Sequence, residues 1–168
     1  MWRFSLVSPR DSTLRIRKVA DCKRVICAAP SYIAARGMPE SGEALVKDRH
    51  NCLNLRYPGA PEFQWRLQTD NGVQRFRVGG RFESDDGDVL TDWALTGQGV
   101  VLKPVFEVAD HLRSGALVPV AQANPPEDIQ MAFLFTHRRH QDPKTRLFIE
   151  FMVDRLAASV RQTESAAI

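Results

Sequence analysis

The chain reads as an α/β domain built on a largely parallel sheet, and two observations carry that reading. Short apolar runs alternate with amphipathic segments along nearly the whole length, the pattern of strands packed beneath helices. Residues 75–104 hold that pattern in miniature: a strand, an acidic turn, a helix, a glycine exit and a second strand. A unit so compact predicts two parallel strands joined by a right-handed crossover.

The elements follow in order. Phe4, Leu6 and Val7 suit a strand that Pro9 terminates, because proline has no N–H for a ladder. Val25, Ile26, Cys27 and Ala28 form the next, a strand over residues 24–28. Pro30 then fits the first turn of a helix, with Ala29 before it held extended. Tyr32, Ile33 and Ala35 continue that helix, and Gly37 stops it before Pro39. Ser41 can cap a second short helix carrying Leu45 and Val46, although Ala44 stands where a capping box needs Glu or Gln. His50-Asn51-Cys52 leads into a strand at 53–56, and Pro58, Gly59 and Pro61 make a loop. Extended structure resumes at 65–68. Asp70-Asn71-Gly72 signals a hairpin, since Asn-Gly supplies the positive φ angles of a tight turn, and 73–78 is the return strand.

The organising stretch comes next. Val78, Gly80 and Phe82 alternate with Gly79, Arg81 and Glu83, the period of a strand with one buried face. Ser84 to Asp88 offers oxygen side chains that can cap a helix and suit its positive dipole end. Val89, Leu90, Trp93, Ala94 and Gly97 share one helical face. Gly97 or Gly99 can take the left-handed C-cap, and Val100 to Leu102 reads as a short buried strand. Val105, Phe106, Val108, Ala109 and Leu112 make another amphipathic helix, stopped by Gly115, with a strand at 117–120 behind it. Asn124-Pro125-Pro126 breaks the pattern before a buried-type strand at 131–135. Asp142-Pro143 places a cap and a first-turn proline before the last helix. Leu147, Phe148, Phe151, Met152 and Leu156 line that helix, widened by Ile149 and Val153, and it is expected to fray from Gln162.

Composition narrows the function classes. With 168 residues and 43% apolar content the chain can build one real core. A net charge of +3 permits nucleic-acid binding without arguing for it, and the basic residues are spread. Cys22, Cys27 and Cys52 cannot all pair, and none forms Cys-x-x-Cys, which is ordinary usage for a reducing compartment. Neither a secretory signal nor an apolar run approaching ~20 residues is present. A cytoplasmic protein is expected.

Signatures of catalysis are missing from the sequence. There is no Gly-x-Ser-x-Gly elbow and no phosphate-binding Gly-rich loop, and Gly97-Gln98-Gly99 ends a helix rather than starting one. Asp85-Asp86-Gly87-Asp88 hints at calcium, but Thr96 stands where an EF-hand needs a bidentate Glu, so helix capping is the better reading. His137-Arg138-Arg139-His140 is the only histidine cluster, and no third ligand is placed for a metal. His50 and His111 read as structural or solvated, and Cys27 as inert packing. No nucleophile-base pair emerges, so an enzyme is not expected, and no cofactor or metal is called for.

The stretch Asp92-Trp93-Ala94-Leu95, the Gly97-x-Gly99 exit and the Leu102-Lys103-Pro104 strand resemble the C-terminal half of the effector-binding domain of LysR-type transcriptional regulators. The likeness extends over roughly residues 8–157 and includes Asp11-Ser12-Thr13-Leu14 and Ala28-Ala29-Pro30-Ser31-Tyr32-Ile33, where the family has Ala-Ser-Pro-x-Tyr-Leu. The family's serine is Ala29 here, so a hydroxyl is missing or moved to Ser31. The resemblance implies a periplasmic-binding-protein-like fold of type 2: a Rossmann-like subdomain, plus a returning strand and helix of an incomplete first subdomain. It divides the chain into a remnant of regulatory subdomain one (1–14), subdomain two (15–122), a return hinge with strand and helix (123–160) and a tail (161–168), with 14–19 as the outgoing hinge strand.

The resemblance also implies a function. A small-molecule effector would bind between the subdomains and favour one of two arrangements, reorienting DNA-binding parts in the intact protein. Ligands of α/β sheets lie beyond the carboxyl ends of the strands, which nominates Ser84 and Asp85 at a strand end, Pro30 and Ser31 at a helix start, and Gln98. Backbone N–H groups at the Ser31 helix start could receive an anion. The family's winged helix-turn-helix has no counterpart in these residues, so DNA would be reached only through that missing N-terminal domain. The strand at 131–135 and the face of Leu147, Phe148, Phe151 and Met152 would lose the sheet they normally cover, which predicts a homo-oligomer. The alternative is a truncated orphan without DNA binding that acts only by oligomerising with intact relatives. A periplasmic solute-binding module would need a secretion signal.

Overall fold

The computed structural model describes residues 2–7, 14–56, 64–136 and 143–167. In chain order its elements are β1 (Trp2–Val7), β2 (Leu14–Cys22), β3 (Arg24–Ala28), α1 (Pro30–Arg36), α2 (Gly42–Lys47), β4 (Cys52–Leu55), β5 (Gln64–Thr69) and β6 (Gly72–Arg77). They continue with β7 (Glu83–Ser84), α3 (Gly87–Leu95), β8 (Val100–Pro104), α4 (Val105–Arg113), β9 (Val118–Pro119), β10 (Ile129–Thr136) and α5 (Pro143–Ala167).

Alternation along the strands explains the layering of the larger unit. Its sheet runs β7-β4-β8-β3-β9. Because successive side chains point to opposite faces, Ile26, Ala28, Cys52 and Val100 enter one core with Tyr32 of α1, Leu45 of α2, and Trp65, Leu67 and Phe76 of the β5-β6 hairpin. Cys27, Leu53 and Val101 enter the other, beneath Leu90 and Ala94 of α3 and Val108 of α4. A sheet covered on both faces needs strands that are apolar on both, and β3, β4 and β8 are so apart from Arg24, Asn54 and Lys103.

Pairing in this sheet is mixed. β4 is parallel to β7 and β8, whereas β3 is antiparallel to β8 and β9. The strand-helix-strand unit therefore yields two parallel strands, β7 and β8, with β4 inserted between them. The largely parallel reading needs correcting at β3. That strand leads into α1 at the end of the sheet opposite to where α3 and α4 begin.

The strand expected across 78–82 is broken. Backbone N–H groups of Cys52 and Asn54 donate to the carbonyls of Gly79 and Phe82, so three steps along one chain match two along the other. Gly80 sits in that one-residue bulge, where an added Cβ would lie 1.9 Å from the carbonyl oxygen of Cys52. Regular pairing resumes when Arg56 N–H donates to Ser84 O. The hairpin differs in detail too. Gly72 has φ +92 while Asn71 is not among the positive-φ residues, so the turn closes as Asp70-Asn71 followed by a left-handed glycine.

The second unit is a three-stranded antiparallel sheet, β1-β10-β2, packed against α5. A register shift opposite Met131 and Ala132 leaves Val19 as an extra residue in β2, and both Val19 and Ala20 are buried. The chain leaves this sheet at Lys23, between β2 and β3, and returns through residues 120–128. Met131, Ala132 and Phe133 are buried, but Leu147, Phe148 and Phe151 of α5 are exposed. Helix α5 continues to Ala167, past the Gln162 at which fraying is expected. Glu164 holds it there by accepting the Lys23 N–H at 2.8 Å. The capping role expected of Asp142 lies outside the described residues.

Candidate functional site

Strand direction sorts the larger sheet into two ends of different chemistry. β4, β7 and β8 point the same way, so their carboxyl ends, at Leu55, Ser84 and Pro104, share one edge. The chain crosses to the three-stranded sheet at this same edge. Val105 N–H, at the start of α4, donates to Lys23 O at 2.9 Å.

Local chemistry shapes this carboxyl-end rim. Ser84 is half-buried, and its Oγ accepts from Asp86 N–H at 3.0 Å, which leaves the hydroxyl hydrogen to be aimed elsewhere. Asp86 is the N-cap of α3, its Oδ1 accepting from Asp88 N–H at 2.8 Å. The acidic run is thus a helix cap. Asp85 is exposed at the tip of the turn. Arg56 pairs with Glu83 beside it. Lys103 is buried, with its Nζ donating to Gly87 O at 3.0 Å and paired with Glu107 at 2.5 Å. A buried ammonium needs such partners, and this one ties β8 to the starts of α3 and α4.

The other three nominated residues, Pro30, Ser31 and Gln98, sit at the opposite end. Because β3 is antiparallel, its carboxyl end, and with it Pro30 and Ser31, meets the amino ends of β4 and β8. Gln98 immediately precedes β8. Ser31 packs against the turn that precedes Gln98: its Oγ lies 2.7 Å from where a Cβ on Gly97 would stand, and Gly97 has φ +75. The five residues expected to share one crevice therefore divide, with Ser84 and Asp85 at one end and Pro30, Ser31 and Gln98 at the other.

A pocket of about 600 Å³ opens at this amino end, between α1, α2 and the segment 79–82. Its floor is a polar network. Tyr32 Oη accepts the Asn51 N–H at 2.9 Å and is hydrogen-bonded with Nδ1 of His50, 3.2 Å away. Burial pushes the pKa of His50 below the usual 6.5, keeping the ring neutral. The side chain of Asn51 accepts from Arg81 N–H at 2.6 Å and donates to Gln98 O, joining the bulge to the turn before β8.

Arg36, Arg49, Arg77 and Arg81 border this pocket, and none of its described lining residues is acidic. Sequence reading missed all four. Their spacing of 13, 28 and 4 positions gives no local signal, and a basic residue on a solvated face looks the same in one dimension. His50, read as isolated, turns out to be keyed to Tyr32. The pair His137 and His140 lies outside the described residues. Burial pushes the thiols of Cys22, Cys27 and Cys52 up to about 11, 12 and 12 respectively, which suits packing rather than chemistry.

Comparison with known proteins places this architecture. A family model described as the LysR substrate binding domain matches residues 4–157. The chain is 32% identical over 133 residues to the HTH-type transcriptional activator TtdR of Escherichia coli, an alignment covering 77% of this chain and 41% of TtdR. To the HTH-type transcriptional regulator DmlR of Escherichia coli it is 31% identical over 139 residues, covering 81% of this chain and 43% of DmlR. The chain therefore spans less than half the length of these relatives. Among solved structures, the CrgA regulatory domain from Neisseria meningitidis superposes with a TM-score of 0.76 at 25% identity, over 92% of this chain and 74% of that one. Full-length AphB of Vibrio cholerae gives 0.74 at 28% identity, over 91% of this chain and 51% of AphB. The periplasmic-binding-like α/β fold of LysR regulatory domains is the fold seen here.

Proposed function

We propose that this chain, which belongs to the LysR substrate-binding domain family, is the effector-sensing portion of a cytoplasmic transcriptional regulator. One observation carries the reading furthest. Ser84 and Asp85 stand at the carboxyl-end edge of the larger sheet, the edge at which the chain crosses to the smaller one. Ligands of open α/β sheets bind at that end, and a ligand touching both units can favour one relative arrangement over another. In this reading Ser84 donates its remaining hydrogen to the effector and Asp85 accepts from it. Pro30, Ser31 and Gln98 have no direct part. Residues 15–122 supply the second subdomain, and residues 123–160 return to the first. DNA contact falls to a winged helix-turn-helix joined to this segment. No catalytic step, metal or cofactor is proposed.

The test begins with a small-molecule library screened by thermal shift, followed by titration calorimetry of the best binder. Ser84→Ala should weaken that binder by about tenfold, the loss of roughly one hydrogen bond from a desolvated site, with the unfolding midpoint unchanged within 2–3 °C (approximately). Unchanged affinity would remove Ser84 from the site.

Self-association belongs to the same proposal. Leu147, Phe148 and Phe151 expose 61%, 46% and 59% of their surface on one stretch of α5, and apolar side chains so grouped favour a partner. Light scattering of the chain at micromolar concentration should give a mass above that of one copy; a monomer would count against it.

A further inference from the structure

We propose that Glu164, near the end of α5, is an anchor that confines rotation between the three-stranded unit and the larger unit to the backbone of one residue, Lys23, with Asp128 as its counterpart on the return crossing. Hydrogen bonding on either side of each crossing locates this joint. β2 stays paired with β10 as far as Cys22, which lies opposite Ile129. β3 is paired with β8 from Arg24 onward, opposite Pro104. Only Lys23 separates the two strands.

The return crossing narrows in the same way. Val120 N–H donates to Ile26 O at 2.8 Å and Ala121 N–H to Pro39 O at 2.7 Å. Gln68 N–H donates to Pro125 O at 2.8 Å, and Glu127 N–H to Arg66 O at 3.2 Å. Glu127 also pairs with the Arg66 guanidinium at 2.9 Å, and its carbonyl accepts from Arg24 Nε at 2.5 Å. Residues 120–127 are thus stitched to the larger unit, and Asp128 alone separates them from β10. Hinges absorb rotation at a few residues where elements end, and Lys23 and Asp128 are both exposed. The joint lies at 23 and 128 rather than at the boundaries of 15 and 123 drawn from the family resemblance.

The two halves of Lys23 are anchored to different units. Its carbonyl accepts the Val105 N–H of α4, which belongs to the larger unit, at 2.9 Å. Its N–H donates to Glu164 Oε1 at 2.8 Å, on a helix whose Ile149, Ala157 and Val160 are buried in the core of the three-stranded unit. Peptide planes are rigid, so the plane before Lys23 moves with one unit and the plane after it with the other. Only φ and ψ of Lys23 are left to turn. Without Glu164 the first plane is free, and the rotation spreads back into Cys22. Burial raises the pKa of Glu164, while its bond to Lys23 lowers it and the Asp128 charge raises it, so both joint residues act on this carboxylate. Phe106, next to the anchored Val105, packs on the core of the three-stranded unit. So close to the axis, a rotation displaces it little. This assignment involves no ligand and no residue of the Ser84 rim, so it stands or falls apart from the effector reading.

The full 168-residue chain, labelled with 15N, tests it by residual dipolar couplings and amide hydrogen exchange. In the parent, amides of 120–127 should fit the alignment tensor of the larger unit. Lys23→Gly widens the accessible φ and ψ and should lower the alignment of the three-stranded unit relative to the larger one. Ala123→Gly, inside the stitched segment, should leave that ratio unchanged. Glu164→Ala should speed exchange of the Lys23 amide about tenfold or more, as expected on losing a hydrogen bond to a charged group. Glu164→Gln keeps an acceptor oxygen and should restore most of that protection. Four results would overturn the proposal: amides of 120–127 aligning with the three-stranded unit, no change of the ratio in Lys23→Gly, an equal change in Ala123→Gly, or Lys23 exchange in Glu164→Ala equal to the parent's. The first three need no change at Glu164.

Discussion

Gly79 and Gly80 offer a test of how the chain approaches β4, because they are neighbours with opposite surroundings. A Cβ on Gly80 would stand 1.9 Å from Cys52 O, 2.8 Å from Cys52 C and 3.1 Å from Cys52 N, all backbone atoms. A Cβ on Gly79 would meet nothing within 4 Å. An ordinary carbon-oxygen contact is about 3.3 Å, so Gly80→Ala must push the segment roughly 1.4 Å from β4. That distance is enough to break the bonds from Cys52 N–H to Gly79 O (3.0 Å) and from Asn54 N–H to Phe82 O (3.3 Å). Both donors belong to buried residues, Cys52 at 0% and Asn54 at 2% exposure. Leaving a buried donor unpaired costs about 1–3 kcal/mol, so the expected loss for the two is about 2–6 kcal/mol. Gly79→Ala has no such clash and no positive φ. It should be neutral or stabilise by up to about 1 kcal/mol through the unfolded state. Urea denaturation followed by circular dichroism measures both. A thermal scan should show Gly80→Ala lower by roughly 4–24 °C. Equal stability of the two variants would refute the bulge as the reason for glycine at position 80.

Three further outcomes are expected. Leu67 is 0% exposed in the hairpin and packs in the same core as Ile26 and Val100, so Leu67→Ala should cost about 2–5 kcal/mol by urea denaturation; a loss below about 1 kcal/mol would make the hairpin a loose flap. His50 has its pKa lowered by burial, so on acidification the unfolded state binds its proton first. Stability contributed by the neutral ring is present above the ordinary value of 6.5 and is lost as pH falls through the native value. The unfolding midpoint of the parent should thus fall toward that of His50→Gln between pH 7.5 and 5, while a constant gap would show that the ring does not titrate with folding. Finally, all three cysteines are buried, with thiols raised to about 11 or 12. Ellman's reagent at pH 8 should label none until denaturant is added, and prompt labelling of the native chain would contradict the burial of these thiols.

By itself the sequence determined the kind and order of the elements, because those depend on local physics. Apolar period, proline at a first helical turn and glycine at a chain reversal act within a few residues. Thus α1 starts at Pro30, α3 is capped in the acidic run, and Gly37, Gly97 and Gly115 all carry positive φ where helices end. The family was legible for a related reason: such local signals keep a recognisable order over roughly residues 8–157, and that length rather than any one motif is distinctive. Strand direction was not legible. Whether β3 runs with or against β8 depends on where the chain enters the sheet, and five apolar residues read the same either way. That one reversal carried Pro30 and Ser31 away from Ser84 and Asp85 and split the expected site. Gly80 shows the same limit at smaller scale. Its alternation with Val78 and Phe82 satisfies a strand, but only the approach of β4, distant in sequence, turns the segment into a bulge. The arginines of the amino-end pocket are the extreme case: Arg36 at the end of α1, Arg49 after α2, and Arg77 and Arg81 at and beyond the end of β6 become one feature only when the sheet has closed, since convergence is a property of the tertiary fold.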